Sequence, residues 1–106
     1  MTAEEFVANF KAEKDISLSL YLSDEPTEVS ERFKALESAQ DKRKAIEGII
    51  DTILTDTYYS ILLGLDGAAS IGDEQQGYTI HDEEGSVITD AQDGELEGLA
   101  WEAFHG

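Results

Sequence analysis

The sequence predicts an α+β fold: three N-terminal helices with a long central helix at about 41–65, a β-hairpin at about 77–89, and a C-terminal helix. Three observations predict it. Apolar residues recur at spacings of three and four from Ile46 to Leu65. Two short β-prone runs, Tyr78-Thr79-Ile80-His81 and Ser86-Val87-Ile88-Thr89, flank Asp82-Glu83-Glu84-Gly85. The chain has 106 residues, 41% of them hydrophobic, enough for one domain that buries roughly two-thirds of its unfolded surface. Residues 1–106 therefore read as a single compact domain, without repeats or a separate linker.

The first helix starts at Thr2, an N-cap followed by Glu4 and Glu5 at the positive end of the dipole. Phe6, Val7, Phe10, Leu18 and Tyr21 or Leu22 mark its apolar face. Ile16, Leu18, Leu20 and Leu22 also alternate as a strand would, and continuity with the preceding turns favours helix. Ser23-Asp24-Glu25-Pro26 breaks the chain. Ser23 or Asp24 is the expected cap of the second helix, with Pro26 in its first turn and Val29, Phe33 and Leu36 on one narrow face. The polar stretch 37–44 is a loop or the start of the third helix.

In the third helix, Tyr58, Tyr59, Leu62 and Leu63 add apolar sides to the stripe of Ile46, Ile49, Ile50, Ile53, Leu54, Thr57, Ile61 and Leu65. A helix apolar all round is a buried one, so this element is expected at the centre of the fold, ending at Gly64 or Gly67. Asp90 to Gly94 reads as a turn. The last helix, Glu95 to Phe104, carries Leu96, Leu99, Ala100, Ala103 and Phe104 on one side with Trp101 beside them.

Charge is the most unusual property of the chain. All seven lysines and arginines lie in the first 44 residues, where the net charge is −3. The remaining 62 residues hold fourteen acids and no lysine or arginine. The total of −17 repels nucleic acid phosphates and anionic membranes, so neither is an expected partner. The N-terminus has no basic and apolar signal segment, and Glu47, Asp51 and Asp56 interrupt the greasiest stretch. A cytoplasmic protein is expected. Cysteine is absent, which excludes disulfides and thiolate zinc sites.

No residue pattern announces catalysis, and the chain is not expected to be an enzyme or to carry a cofactor. Starting an EF-hand at Asp82 puts Val87 at position six and Asp93 at position twelve, where glycine and glutamate belong, so the pattern fails. His81 beside Asp82 has no nucleophile elbow to serve, and Gly64, Gly67 and Gly72 lack the lysine of a phosphate loop. His105 is expected to fray or to pack on the terminal helix. The cluster Lys42-Arg43-Lys44 is expected to balance the acidic half, within or between molecules.

A small acidic intracellular binding protein fits these features. It engages a basic partner protein through its acidic C-terminal half, as immunity proteins and other inhibitors do, because complementary charge speeds encounter. The candidate contact residues are Asp66, Asp73, Glu74, Asp82, Glu83, Glu84 and Trp101. An aromatic rimmed by acids is a common form of binding hot spot. The competing expectation for Trp101 is that it packs inward beside Leu99 and Phe104. Alternatives are a solubilised domain with a weak divalent-cation site in the 66–95 loops, and a DNA mimic. Acids concentrated in loops rather than on a stiff stripe count against the mimic. Self-repulsion of the acidic halves directs any dimer to the first or second helix.

Overall fold

Four helices make up the regular structure of the described residues, 1–89 and 94–106 of a computed structural model: α1 (Ala3–Tyr21), α2 (Glu28–Leu36), α3 (Lys42–Leu65) and α4 (Glu95–His105). The fold is mostly α, and α3 is the platform on which α2 and α4 pack. The predicted turn at Asp90 to Gly94, with Asp90 and Asp93, lies outside the described residues except for Gly94.

Local chemistry sets each helix end. Thr2 caps α1 by accepting the Glu5 N–H at 3.1 Å. The helix then runs unbroken through Tyr21 to a C-cap at Leu22, so the alternation at 16–22 is helical surface rather than a strand. Lys11 pairs with Asp15 one turn on, and its ammonium holds the Asp15 carboxyl below its ordinary range. Ser23 closes this helix by donating to the Leu20 carbonyl at 2.7 Å, and is not the cap of α2.

That role falls to Thr27, and Pro26 precedes it rather than entering the first turn. Thr27 accepts the Ser30 N–H at 3.0 Å while Ser30 Oγ accepts the Thr27 N–H at 2.9 Å. This reciprocal box satisfies two end donors at once, an advantage Ser23 and Asp24 lack at their spacing. At the other end of α2, Lys42 Nζ donates to the carbonyls of Leu36 (2.8 Å) and Glu37 (2.9 Å). A cation on the negative end of one helix, supplied by the first residue of the next, joins α2 to α3 across a short link. Past Leu65, Gly67 adopts a left-handed φ of 82°, and the Ala68 N–H reaches the Leu63 carbonyl at 2.9 Å, the paired pattern of a Schellman stop.

The predicted β-hairpin at 77–89 does not form. The chain does reverse at Asp82–Gly85, with the Asp82 N–H on the Ser86 carbonyl (3.1 Å) and the Ile88 N–H on the Ile80 carbonyl (2.8 Å). Only an isolated bridge between His81 and Val87 results, with no strand on either side. Two strands without a third, or a packed face, are marginal in water, and Val87 and Ile88 are both exposed. The side chain of Thr89 also replaces the ladder: its hydroxyl accepts the Ile80 N–H at 3.0 Å and donates to the Tyr78 carbonyl. The α+β expectation is thus corrected to an all-helical core followed by an irregular loop.

The core is small. Val29 of α2, Ile49 of α3, Ala100 of α4 and the loop residue Ile71 are its buried apolar side chains. Ile71 sits so close to Gly64 that a Cβ there would lie 2.4 Å from its Cγ1. The expectation that α3 is buried all round also fails: Ile46, Ile50, Leu54 and Tyr58 are about half exposed along one face. A chain this short has two helices to pack on α3, and they leave that side uncovered.

No residue of α1 is fully buried. A cavity of about 360 Å³, lined by Phe10, Leu18, Phe33, Ile53, Ile61 and Ile71, separates it from α3. Two polar ties hold it. The Tyr21 hydroxyl donates to the Asp56 carboxylate, and the Gly72 N–H donates to Glu13 Oε2 at 2.8 Å. Burial, with Asp56 beside it, pushes the Tyr21 phenol above its ordinary range. The radius of gyration, 16.2 Å, is well above the ~13 Å of a compact domain of this length.

Candidate functional site

The placement of the seven bases decides how the acidic half stands. Lys11 and Lys14 both reach Asp15, Arg32 reaches Glu28 at 3.2 Å, and Lys34 reaches Glu31 at 3.5 Å. Lys42 is occupied by the α2 carbonyls. Arg43 and Lys44 enter no ion pair among the described residues. No lysine or arginine there pairs with an acid beyond Glu31, so among the described residues Lys42-Arg43-Lys44 makes no ion pair with the acidic half.

The candidate contact residues divide into three groups. Asp66 is the C-cap of α3 and only 3% exposed, so it is buried rather than offered at the surface. Asp73 and Glu74 lie exposed on a tight turn that Ile71 and Glu74 close by exchanging backbone hydrogen bonds of 2.8 and 3.3 Å. That turn rests on α1: a Cβ on Gly72, whose φ is 66°, would lie 2.8 Å from the Asn9 carbonyl oxygen. Asp82 spends one carboxylate oxygen on its own loop, accepting the Glu84 and Ser86 N–H groups at 2.9 Å each. Glu83 and Glu84 stand at the exposed tip of that loop.

Trp101 lies on a different element and is 57% exposed, which overturns the inward-packed alternative. Only Ala100 of α4 is fully buried, with Leu96 half-buried, so the inner face of this helix is narrower than its apolar stripe. The indole is nevertheless supported. Its ring centroid lies 4.7 Å from that of His105 on the next turn and 6.1 Å from that of Tyr59 on α3, and Tyr59 meets His105 edge-on at 4.6 Å. His105 is thus a packed member of the cluster rather than a frayed end. On the helix surface Glu97 precedes Trp101 by four residues, and Glu95 and Glu102 stand in the same relation of one turn to Leu99, also 57% exposed.

The sequence singled out Trp101 but missed Glu97 on its edge of the helix, and Glu95, Leu99 and Glu102 on a separate outward edge. Their signal was present in the spacing of 95, 97, 99, 101 and 102 around a helix that has one neighbour. Chemically this surface offers a flat, held aromatic face next to carboxylates. Such a face takes a guanidinium or ammonium by cation–π attraction while the acids pair with the same charge.

Among the described residues no three carboxylates or imidazoles converge as a metal site, and no helix is long and apolar enough to cross a membrane. No family model, curated protein or solved structure matches this chain.

Proposed function

We propose that this is a small acidic cytoplasmic binding protein that engages a basic partner protein in the manner of an inhibitor, with α4 as the centre of the contact. The observation that carries the reading is the exposed, braced Trp101 on a helix whose charged side chains are Glu95, Glu97 and Glu102. A rigid aromatic gives contact area at little entropic cost, and acids without an internal base keep their charge for a partner. Glu83 and Glu84, with Asp73 and Glu74, extend the field that steers encounter. Nucleic acid is not a proposed partner, because the same field repels it. No catalytic step is assigned.

The test is retention of partner by the immobilised protein from nuclease-treated native lysate, washed at rising salt. The reading predicts a basic protein held at low salt, released at high salt, and lost from Trp101→Ala. Retention that is indifferent to both salt and Trp101→Ala sinks it.

A further inference from the structure

The exposed face of α3 differs from the rest of the acidic molecule. Arg43, Lys44, Ile46, Glu47, Gly48, Ile50, Asp51 and Leu54 line a shallow groove along its first half. Its four charges are two bases followed by two acids, so the face is neutral in a chain of net charge −17. None of the four forms an ion pair among the described residues, although Arg43 and Glu47 stand one turn apart. Between them Ile46, Ile50 and Leu54 are 45%, 52% and 50% exposed, continuing to Tyr58 at 58%. Residues four apart form one of the ridges by which helices interlock.

We infer that a second copy of this chain occupies this groove, with the two α3 helices antiparallel about a two-fold axis. The charge order selects that occupant. A two-fold axis sets each surface against itself reversed, so Arg43 and Lys44 of each copy meet the Glu47–Asp51 segment of the other. Ile46 and Ile50 lie between these ends and interleave across the axis, with Leu54 beyond them. A basic partner gains nothing from a neutral face when α4 and the loops offer unopposed acids. Two copies that meet here use α3 rather than the expected α1 or α2, and the acids they bring to the contact, Glu47 and Asp51, are matched in number by Arg43 and Lys44.

Sedimentation velocity over a hundredfold concentration range, at about 0.15 M salt, tests this. The wild type is expected to pass from monomer to dimer. Ile46→Glu with Ile50→Glu is expected to weaken dimerisation at least ~100-fold by placing charges in the apolar ridge. Arg43→Glu and Asp51→Arg should each weaken it about tenfold, and the two together should restore it, because the swapped charges again face their opposites. All these side chains are exposed, so circular dichroism and melting should stay near wild type. A wild type that stays monomeric throughout overturns the inference. So does a dimer indifferent to the Ile46 and Ile50 changes, or a double swap weaker than both single changes.

Discussion

α2 and α4 pack on the same platform, α3, and finish their surfaces in opposite ways. α2 begins with a reciprocal Thr27–Ser30 cap, pairs Glu28 with Arg32 and Glu31 with Lys34, and ends on the Lys42 ammonium. Its charges are answered within one turn. α4 begins at Gly94 with no side-chain cap, carries Glu95, Glu97 and Glu102 without a lysine or arginine, and turns Leu99 and Trp101 outward. Local answers to every charge make α2 a self-sufficient structural element. Charges and an aromatic left unanswered on a helix that still docks by Leu96 and Ala100 are what a binding face requires. The difference is one of assignment, since both helices rest on the same scaffold.

Truncations at the two helices should therefore separate stability from binding. Val29→Ala, at a side chain 2% exposed, should cost about 2 kcal/mol of stability in denaturant titration and leave partner affinity unchanged. Trp101→Ala should do the reverse, with an affinity loss of about 2 kcal/mol or more, roughly thirtyfold, and a smaller loss of stability. Equal effects of both changes on binding would break the comparison.

Thr27→Ala should lower stability by about 1 kcal/mol through loss of the cap, visible as a lower melting temperature, again without effect on binding. Glu102→Lys sharpens the contrast because its two effects have opposite signs. A cation in the last turn of α4 suits the helix dipole, by roughly 0.3–1 kcal/mol, so melting should rise slightly while affinity for a basic partner falls. If melting and affinity move together, α4 is a structural helix like α2.

The smallest expected effect concerns solvent around Trp101, the single tryptophan of the chain. Its fluorescence should be quenched more by caesium than by iodide at equal ionic strength, because Glu97 and the acidic half concentrate cations there. Preferential quenching by iodide would place the indole outside the acidic field.

The extents of α1, α3 and α4 were legible because periodicity is local: α3, expected at about 41–65, spans Lys42–Leu65. What covers a helix was not. The apolar ring of α3 gave no sign that the Ile46–Ile50–Leu54–Tyr58 side lacks a neighbour, and the stripe of α4 could not tell Ala100, buried, from Leu99, exposed. The reversal at Asp82–Gly85 was readable from its turn residues. Whether its flanks became strands depended on a third strand, which the described residues do not supply, and on the Thr89 side chain capturing the Ile80 N–H. Of the candidate site, Trp101 and the loop acids were singled out from composition, whereas the burial of Asp66 follows from its place at the α3 C-cap.

The most direct measurement removes the same charge from the two helices in turn. Partner affinity is compared for Glu97→Gln with Glu102→Gln on α4, and for Glu28→Gln with Glu31→Gln on α2. Net charge changes equally in both pairs. Affinity should fall about tenfold or more for the α4 pair at low salt, with the loss shrinking as salt rises, and stay near wild type for the α2 pair. Equal losses from both pairs, or none from either, would contradict α4 as the binding face, since binding would then answer to total charge or to another face altogether.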